Sequence, residues 1–148
     1  YYIFKGNLNL SVWITTTDIE KSSSLVYYKG SHKSNKLFLP RSFKDGEVIE
    51  YKNSHGFEFI NDDNFNDYEK VSFDMKAGDA IVFFHNTVHK ARSHNSKQIR
   101  KALSVRYLLD GATMTKKYVN ATPPFDRMGV DVIEDAPVPE KFFPLLKG

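Results

Sequence analysis

The sequence predicts an all-β fold of the layered kind, a sandwich or jelly roll, the double-sheet architecture that also includes the cupins. Three observations carry this. Short runs rich in β-branched and aromatic residues recur along the chain, turn residues separate them, and no segment longer than a turn or two shows an apolar period of about 3.6 residues. A length of 148 residues with 41% hydrophobic side chains suits one soluble domain, 1–148, whose core needs no covalent staple. There is no cysteine, which removes disulfides, thiolate metal sites and cysteine nucleophiles and leaves His, Asp, Glu, Ser and Tyr to carry any chemistry.

Residues 8–16 place Leu8, Leu10, Val12 and Ile14 at a period of two, the mark of a half-buried strand. Residues 25–28, closed by Gly30, read as a second strand entering a turn, and 36–39, ended by Pro40, as a short edge piece. From 41 to 70 the composition turns to Asn, Asp, Lys and Glu, with a weak strand at 47–51. A connection of that length reads as a lid or insertion, which would set the choice of substrate. Residues 71–73, a turn at 76–79 and 80–84 then read as strand, turn and buried strand. Residues 88–91 make a short strand and 92–98 a polar loop.

The strand predicted over 100–109 has two unlike faces. Arg100, Ala102, Ser104 and Arg106 share one; Lys101, Leu103, Val105, Tyr107 and Leu109 share the other. After Gly111 the chain, with Pro123, Pro124, Pro137, Pro139 and Pro144, reads as an extended, irregular tail. The core of the domain is thus expected over about 8–109, with the tail at 111–148.

Several function classes fall away. The apolar runs are about five residues long, far short of the ~20 that span a bilayer. The net charge of +3 comes from 21 Lys and Arg against 18 Asp and Glu scattered along the chain, with no dense basic run for nucleic acid. The opening Tyr1-Tyr2-Ile3-Phe4 has neither the basic flank nor the cleavage site of a signal peptide and reads as a cut. The expected location is cytoplasmic, so the sequons at Asn9 and Asn120 carry no meaning.

Among the five histidines, His85 and His89 are four apart, but Asn86 replaces the glutamate of a helical zinc motif and a strand precedes it. The acidic stretch 61–69 fails as a calcium loop, because no glycine makes its sharp turn and Phe73 stands at the closing position. The informative pair is His89 and Arg100, 11 residues apart with a loop between two strands. A metal-binding imidazole beside a guanidinium that grips a carboxylate is what a metal-bound dicarboxylate requires, and Ala102 and Ser104 leave room for it. A surface histidine on a turn and a solvated arginine at a strand start fit the same spacing, so spacing leaves both readings open.

The run Gly78-Asp79-Ala80-Ile81-Val82-Phe83-Phe84-His85-Asn86-Thr87-Val88-His89, followed by Arg100-Lys101-Ala102-Leu103-Ser104-Val105-Arg106-Tyr107, resembles the second half of the phytanoyl-CoA dioxygenase family of iron(II)/2-oxoglutarate oxygenases. Residues 11–19, with Trp13, and Lys29-Gly30-Ser31-His32-Lys33 resemble that family's tryptophan-bearing strand and its "G-S-H-K" turn, in the family's order. The resemblance spans 8–109. It implies a double-stranded β-helix, a jelly roll of cupin type, with Fe(II) held by a His-x-Asp and a distal histidine and with 2-oxoglutarate as co-substrate. His89 matches the distal histidine and Arg100 the arginine on the far carboxylate of 2-oxoglutarate. Trp13 matches a tryptophan lining that co-substrate's pocket, with a plain core role as its alternative. His32 and His85 are expected to stabilise turns.

Two departures qualify the likeness. No His-x-Asp or His-x-Glu occurs in the 148 residues, and the family's spacing puts that motif just before Tyr1, so the fold is expected to be N-terminally truncated. Ala91 stands where some members place a hydroxyl. The implied activity is hydroxylation of a small organic substrate with conversion of 2-oxoglutarate to succinate. Halogenating members differ at the same missing motif, so that choice stays open, as does a non-catalytic cupin-like binding domain or a fragment unable to hold iron. With Arg100's face inward, Leu103, Val105, Tyr107 and Leu109 form an outer apolar row. The tail, or a second chain in a homo-oligomer, is expected to cover it.

Overall fold

Alternation along the chain becomes pairing in the computed structural model, which describes residues 4–5, 9–34, 36–42, 45–49, 56–59, 65–92, 99–116, 125 and 127–146. Its strands are β1 (Phe4–Lys5), β2 (Leu10–Thr15), β3 (Val26–Tyr28), β4 (Leu37–Leu39), β5 (Phe57–Phe59), β6 (Lys70–Val71), β7 (Ala80–Phe84), β8 (His89–Lys90), β9 (Ala102–Tyr107) and β10 (Thr113–Met114). Two 3-10 turns, Lys21–Ser23 and Ser31–Lys33, are the only helical pieces among the described residues. The all-β expectation holds. Much of the lid predicted at 41–70 lies outside the described residues, as do His55, His94 and Asn120.

The chain forms two compact units: Leu8–Lys36 with Asn61–Tyr107, and Tyr1–Asn7 with Leu37–Ile60 and Leu108–Gly148. In the first, β2 is the centre of an antiparallel sheet ordered β7-β2-β9, and β3 the centre of another ordered β6-β3-β8. Register decides the faces. Ser11 lies opposite Phe83 and Arg106, Trp13 opposite Ile81 and Ser104, and Thr15 opposite Ala102. Ser11, Trp13 and Thr15 are buried while Leu10, Val12 and Ile14 are only half-buried, so the face carrying Ala102, Ser104 and Arg106 is the inner one. Trp13, Ile19, Leu25, Tyr27 and Met75 form the core of this unit, joined by Val71, Ile81 and Phe83.

The outer face consists of Leu10, Val12, Ile14, Ala80, Val82, Phe84, Leu103, Val105 and Tyr107. One expectation fails here. Residues 80–84 are not a buried strand, since Ala80 is exposed and Val82 keeps 59% of its surface. A continuous apolar run reports that both faces tolerate burial, whereas this chain covers one. Along the row that starts on β9, Leu103 is 56% exposed, Val105 and Tyr107 are half-buried, and Leu109, past the strand's end, is 37% exposed in the single chain. The orientation survives this exposure because it is set by the ladder with β2.

In the same unit β3 is buried at all three positions, with Tyr27 in the core and Tyr28 against Phe65 at 4.9 Å. Gly30, at φ 82°, supplies the left-handed residue that lets the chain turn sharply after β3. The next residue, Ser31, is buried, and its Oγ accepts the N–H of Val88 at 2.8 Å, which pins the start of β8.

In the second unit β1 pairs antiparallel with β10, and Phe4, Met114, Phe125 and Val130 make its core. The tail is therefore mostly turns, as expected, yet it contributes to a core of its own. Among the described residues β4 pairs only with β5 and in parallel, which fits its reading as an edge. Of the weak strand at 47–51, the described part shows an isolated bridge, Val48 with Arg41. Glu134 accepts the Lys116 N–H at 2.6 Å and pairs with Lys5, which holds its carboxyl well below the usual range, at about 2.

Candidate active site

β8 begins at His89, which pairs across the sheet with Tyr27. Nδ1 lies 2.9 Å from the carbonyl of Thr87, and a carbonyl only accepts, so Nδ1 carries the proton. That leaves the lone pair on Nε2, the state a metal ligand needs. The ring is stacked on Tyr27 at 5.8 Å and meets the edge of Phe83 at 5.1 Å. Residue 89 reaches solvent, yet protein crowds its imidazole, and this burial pulls the pKa below its ordinary value against the hydrogen bond to Thr87. A charged Arg106 adds to the lowering. Neutral, oriented and accessible, the imidazole is ready to donate an electron pair.

Arg100 precedes β9 and is half-buried, and one guanidinium nitrogen donates to the carbonyl of Ser23 at 2.7 Å. The guanidinium's planar fork has the geometry that grips a carboxylate. Trp13 lies in the core, and its neighbours there, Tyr27 and Phe83, are the two rings against His89. The structure thus groups Trp13 and His89 around shared aromatic walls. Arg100 stands at the border of that group, tied to the turn that leads into Leu25 of the same core. The earlier histidines take structural places: the His32 ring packs on Phe84 at 4.7 Å, and burial pushes His85 down to about 4, with Arg106 adding to it.

Two residues not singled out from the sequence also belong here. The Tyr27 hydroxyl is buried without a hydrogen-bond partner among the described residues, and burial pushes its pKa up to about 12. Arg106 lies on the inner face, and its charge reaches Tyr27, His85 and His89. The period-two phase of Arg100, Ala102, Ser104 and Arg106 was the available signal for Arg106. Nothing local marks Tyr27, because its partner is brought by strand pairing.

A carboxylate-rich co-substrate fits, since His89 stacks on Tyr27, whose buried hydroxyl lacks a partner among the described residues, and a guanidinium stands near the same core. An iron site of two histidines and a carboxylate does not fit: among the described residues no three His, Cys, Asp or Glu side chains gather, and His89 supplies one ligand.

Antiparallel three-stranded sheets with almost no helix among the described residues define the class as a cupin-like all-β fold. The sequence model of the phytanoyl-CoA dioxygenase (PhyH) family matches residues 1–102, and the chain belongs to that family. Its fold is similar to that of the non-heme α-ketoglutarate-dependent epimerase SnoN from nogalamycin biosynthesis, with a TM-score of 0.62 and 19% identity over 93% of this chain and 47% of that one. SnoN in complex with Fe3+, α-ketoglutarate and nogalamycin RO gives 0.61 and 19%, over 93% and 50%. The non-heme α-ketoglutarate-dependent carbocyclase SnoK gives 0.58 and 22%, over 88% and 46%. The fold is the double-stranded β-helix, and the chain spans about half the length of these solved structures. No curated protein matches it. No helix among the described residues is long and apolar enough to cross a membrane.

Proposed function

We propose that this chain is the co-substrate-binding part of an iron(II)- and 2-oxoglutarate-dependent dioxygenase acting on a small organic molecule. The overall reaction inserts one oxygen atom of O2 into a substrate C–H bond and places the other in succinate, with CO2 leaving from 2-oxoglutarate. The observation that supports this most is His89: its Nδ1 is committed to Thr87, its Nε2 keeps the lone pair, and its ring stacks on Tyr27, whose hydroxyl lacks a partner among the described residues. Arg100 would hold the far carboxylate through its planar fork, and Trp13 with Phe83 would wall the pocket and exclude water. A cytoplasmic location belongs to the same proposal, since a reducing compartment keeps iron ferrous. So does a second copy of the chain against the uncharged outer face.

A second reading, a cupin-like binding domain without catalysis, is favoured by the single metal ligand among the described residues. Titration of the chain with 2-oxoglutarate, followed by the emission of its one tryptophan, tests the proposal. Arg100→Gln is expected to weaken binding about tenfold or more. Equal affinity in both forms overturns the role of Arg100. With added iron(II) the 148-residue chain is expected to release little succinate, and robust turnover would mean that the ligands lie elsewhere.

A further inference from the structure

Arg106 is a second cation on the inner face, and the co-substrate has no use for it. It shares a face and a strand with Ala102 and Ser104, whose small side chains are both exposed, so an open strip runs from the start of β9 to Arg106. Arg100 stands just ahead of that strip. Six residues of extended chain cover about 20 Å, whereas 2-oxoglutarate measures only about 6 Å by ordinary bond lengths. One molecule held at Arg100 therefore leaves the far end of the strip to another. The Arg106 guanidinium bonds the Ser104 hydroxyl and the Val105 carbonyl of its own strand. Beside the strip lies β2, where Trp13 is the cross-strand partner of Ser104 and Ser11 that of Arg106.

We infer that Arg106 is a specificity-determining residue that binds a carboxylate, or an equally planar oxyanion, on the primary substrate. The substrate is then an organic acid, its apolar body lying along Ser104 and Ala102 toward the co-substrate. Naming the ligand a substrate rests on the oxygenase reading above; the binding of an acid at Arg106 does not.

The test uses the 148-residue chain with 3-phenylpropanoate and its uncharged twin, 3-phenylpropanamide, read by the emission of Trp13. The acid is expected to bind about tenfold more tightly than the amide, a difference of about 1.4 kcal/mol. Arg106→Gln should abolish that preference, Arg106→Lys should keep part of it, and Arg100→Gln should leave it whole. Arg106→Gln should weaken 2-oxoglutarate binding far less than Arg100→Gln does. Absence of an acid preference in the unaltered chain, or its persistence in Arg106→Gln, overturns the inference, as does its loss in Arg100→Gln. The melting temperature of each variant separates lost binding from lost fold, and the acid-to-amide ratio of the unaltered chain decides even if Arg106→Gln does not fold. Failure of 2-oxoglutarate to bind, with the acid preference intact, overturns the reading of Arg100 and leaves Arg106 as an acid-binding residue.

Discussion

His89 and Tyr27 are cross-strand partners whose rings lie 5.8 Å apart at an interplanar angle of 28°. The stack and the Thr87 carbonyl fix two sides of the imidazole, so Nε2 is aimed by the fold rather than by a ligand. The cost falls on Tyr27, whose hydroxyl is desolvated without a partner among the described residues.

Removing that hydroxyl should therefore help the isolated chain. Tyr27→Phe is expected to raise stability by about 1 kcal/mol, because an unsatisfied buried group is lost while the ring remains. The pH dependence should change with it. The Tyr27 pKa rises from 10.0 to about 12 on folding, so its contribution is whole below pH 10 and declines between pH 10 and 12. Urea denaturation across that window checks both, and a Tyr27→Phe chain with the same alkaline loss would contradict them.

At acid pH the corresponding group is His85. Its pKa falls from 6.5 to about 4 on folding, so the unfolded chain binds the proton first. Stability linked to it is present above pH 6.5 and drains away as pH falls toward 4. His85→Gln should flatten that part of the curve, measured as the urea midpoint at pH 7 and pH 5.

Ser31 ties the glycine turn to β8 through the Val88 N–H. Ser31→Ala leaves that N–H without its acceptor and is expected to cost about 1–3 kcal/mol. Replacement of the neighbouring Lys33 by Ala should stay within about 0.5 kcal/mol. Melting curves of the two variants, compared side by side, measure the contrast.

Val82 and Leu103 keep more than half their surface on the outer face, at 59% and 56%. Val82→Thr with Leu103→Thr should thus change unfolding free energy little, by about 0.5 kcal/mol per site, while weakening association of the chain with itself. Sedimentation velocity at rising concentration reads the second effect. A chain that stays monomeric before and after substitution would remove the second copy from the outer face.

Residues 10–15 and 102–107 were legible as strands because a period of two separates two unlike faces, but the side of β2 that meets the core carries Ser11, Trp13 and Thr15 rather than the apolar Leu10, Val12 and Ile14. The same logic put Arg106 in phase with Arg100. Residues 80–84 were misread because their letters are apolar at every position, and hydrophobicity alone does not say whether a covering layer is present. The motifs around Gly78, His89 and Arg100 carried the family, and with it the roles proposed for His89, Arg100 and Trp13.

What the letters settle about this chain is its all-β character, its family and the two faces of β9, since each is written in local residue order. The neighbourhood of His89 had to come from folding. Tyr27, Phe83 and Thr87 meet the imidazole because β3, β7 and the turn before β8 converge in space. Pairing between segments distant in sequence depends on register and burial summed over the whole chain, and no single stretch of residues encodes that sum.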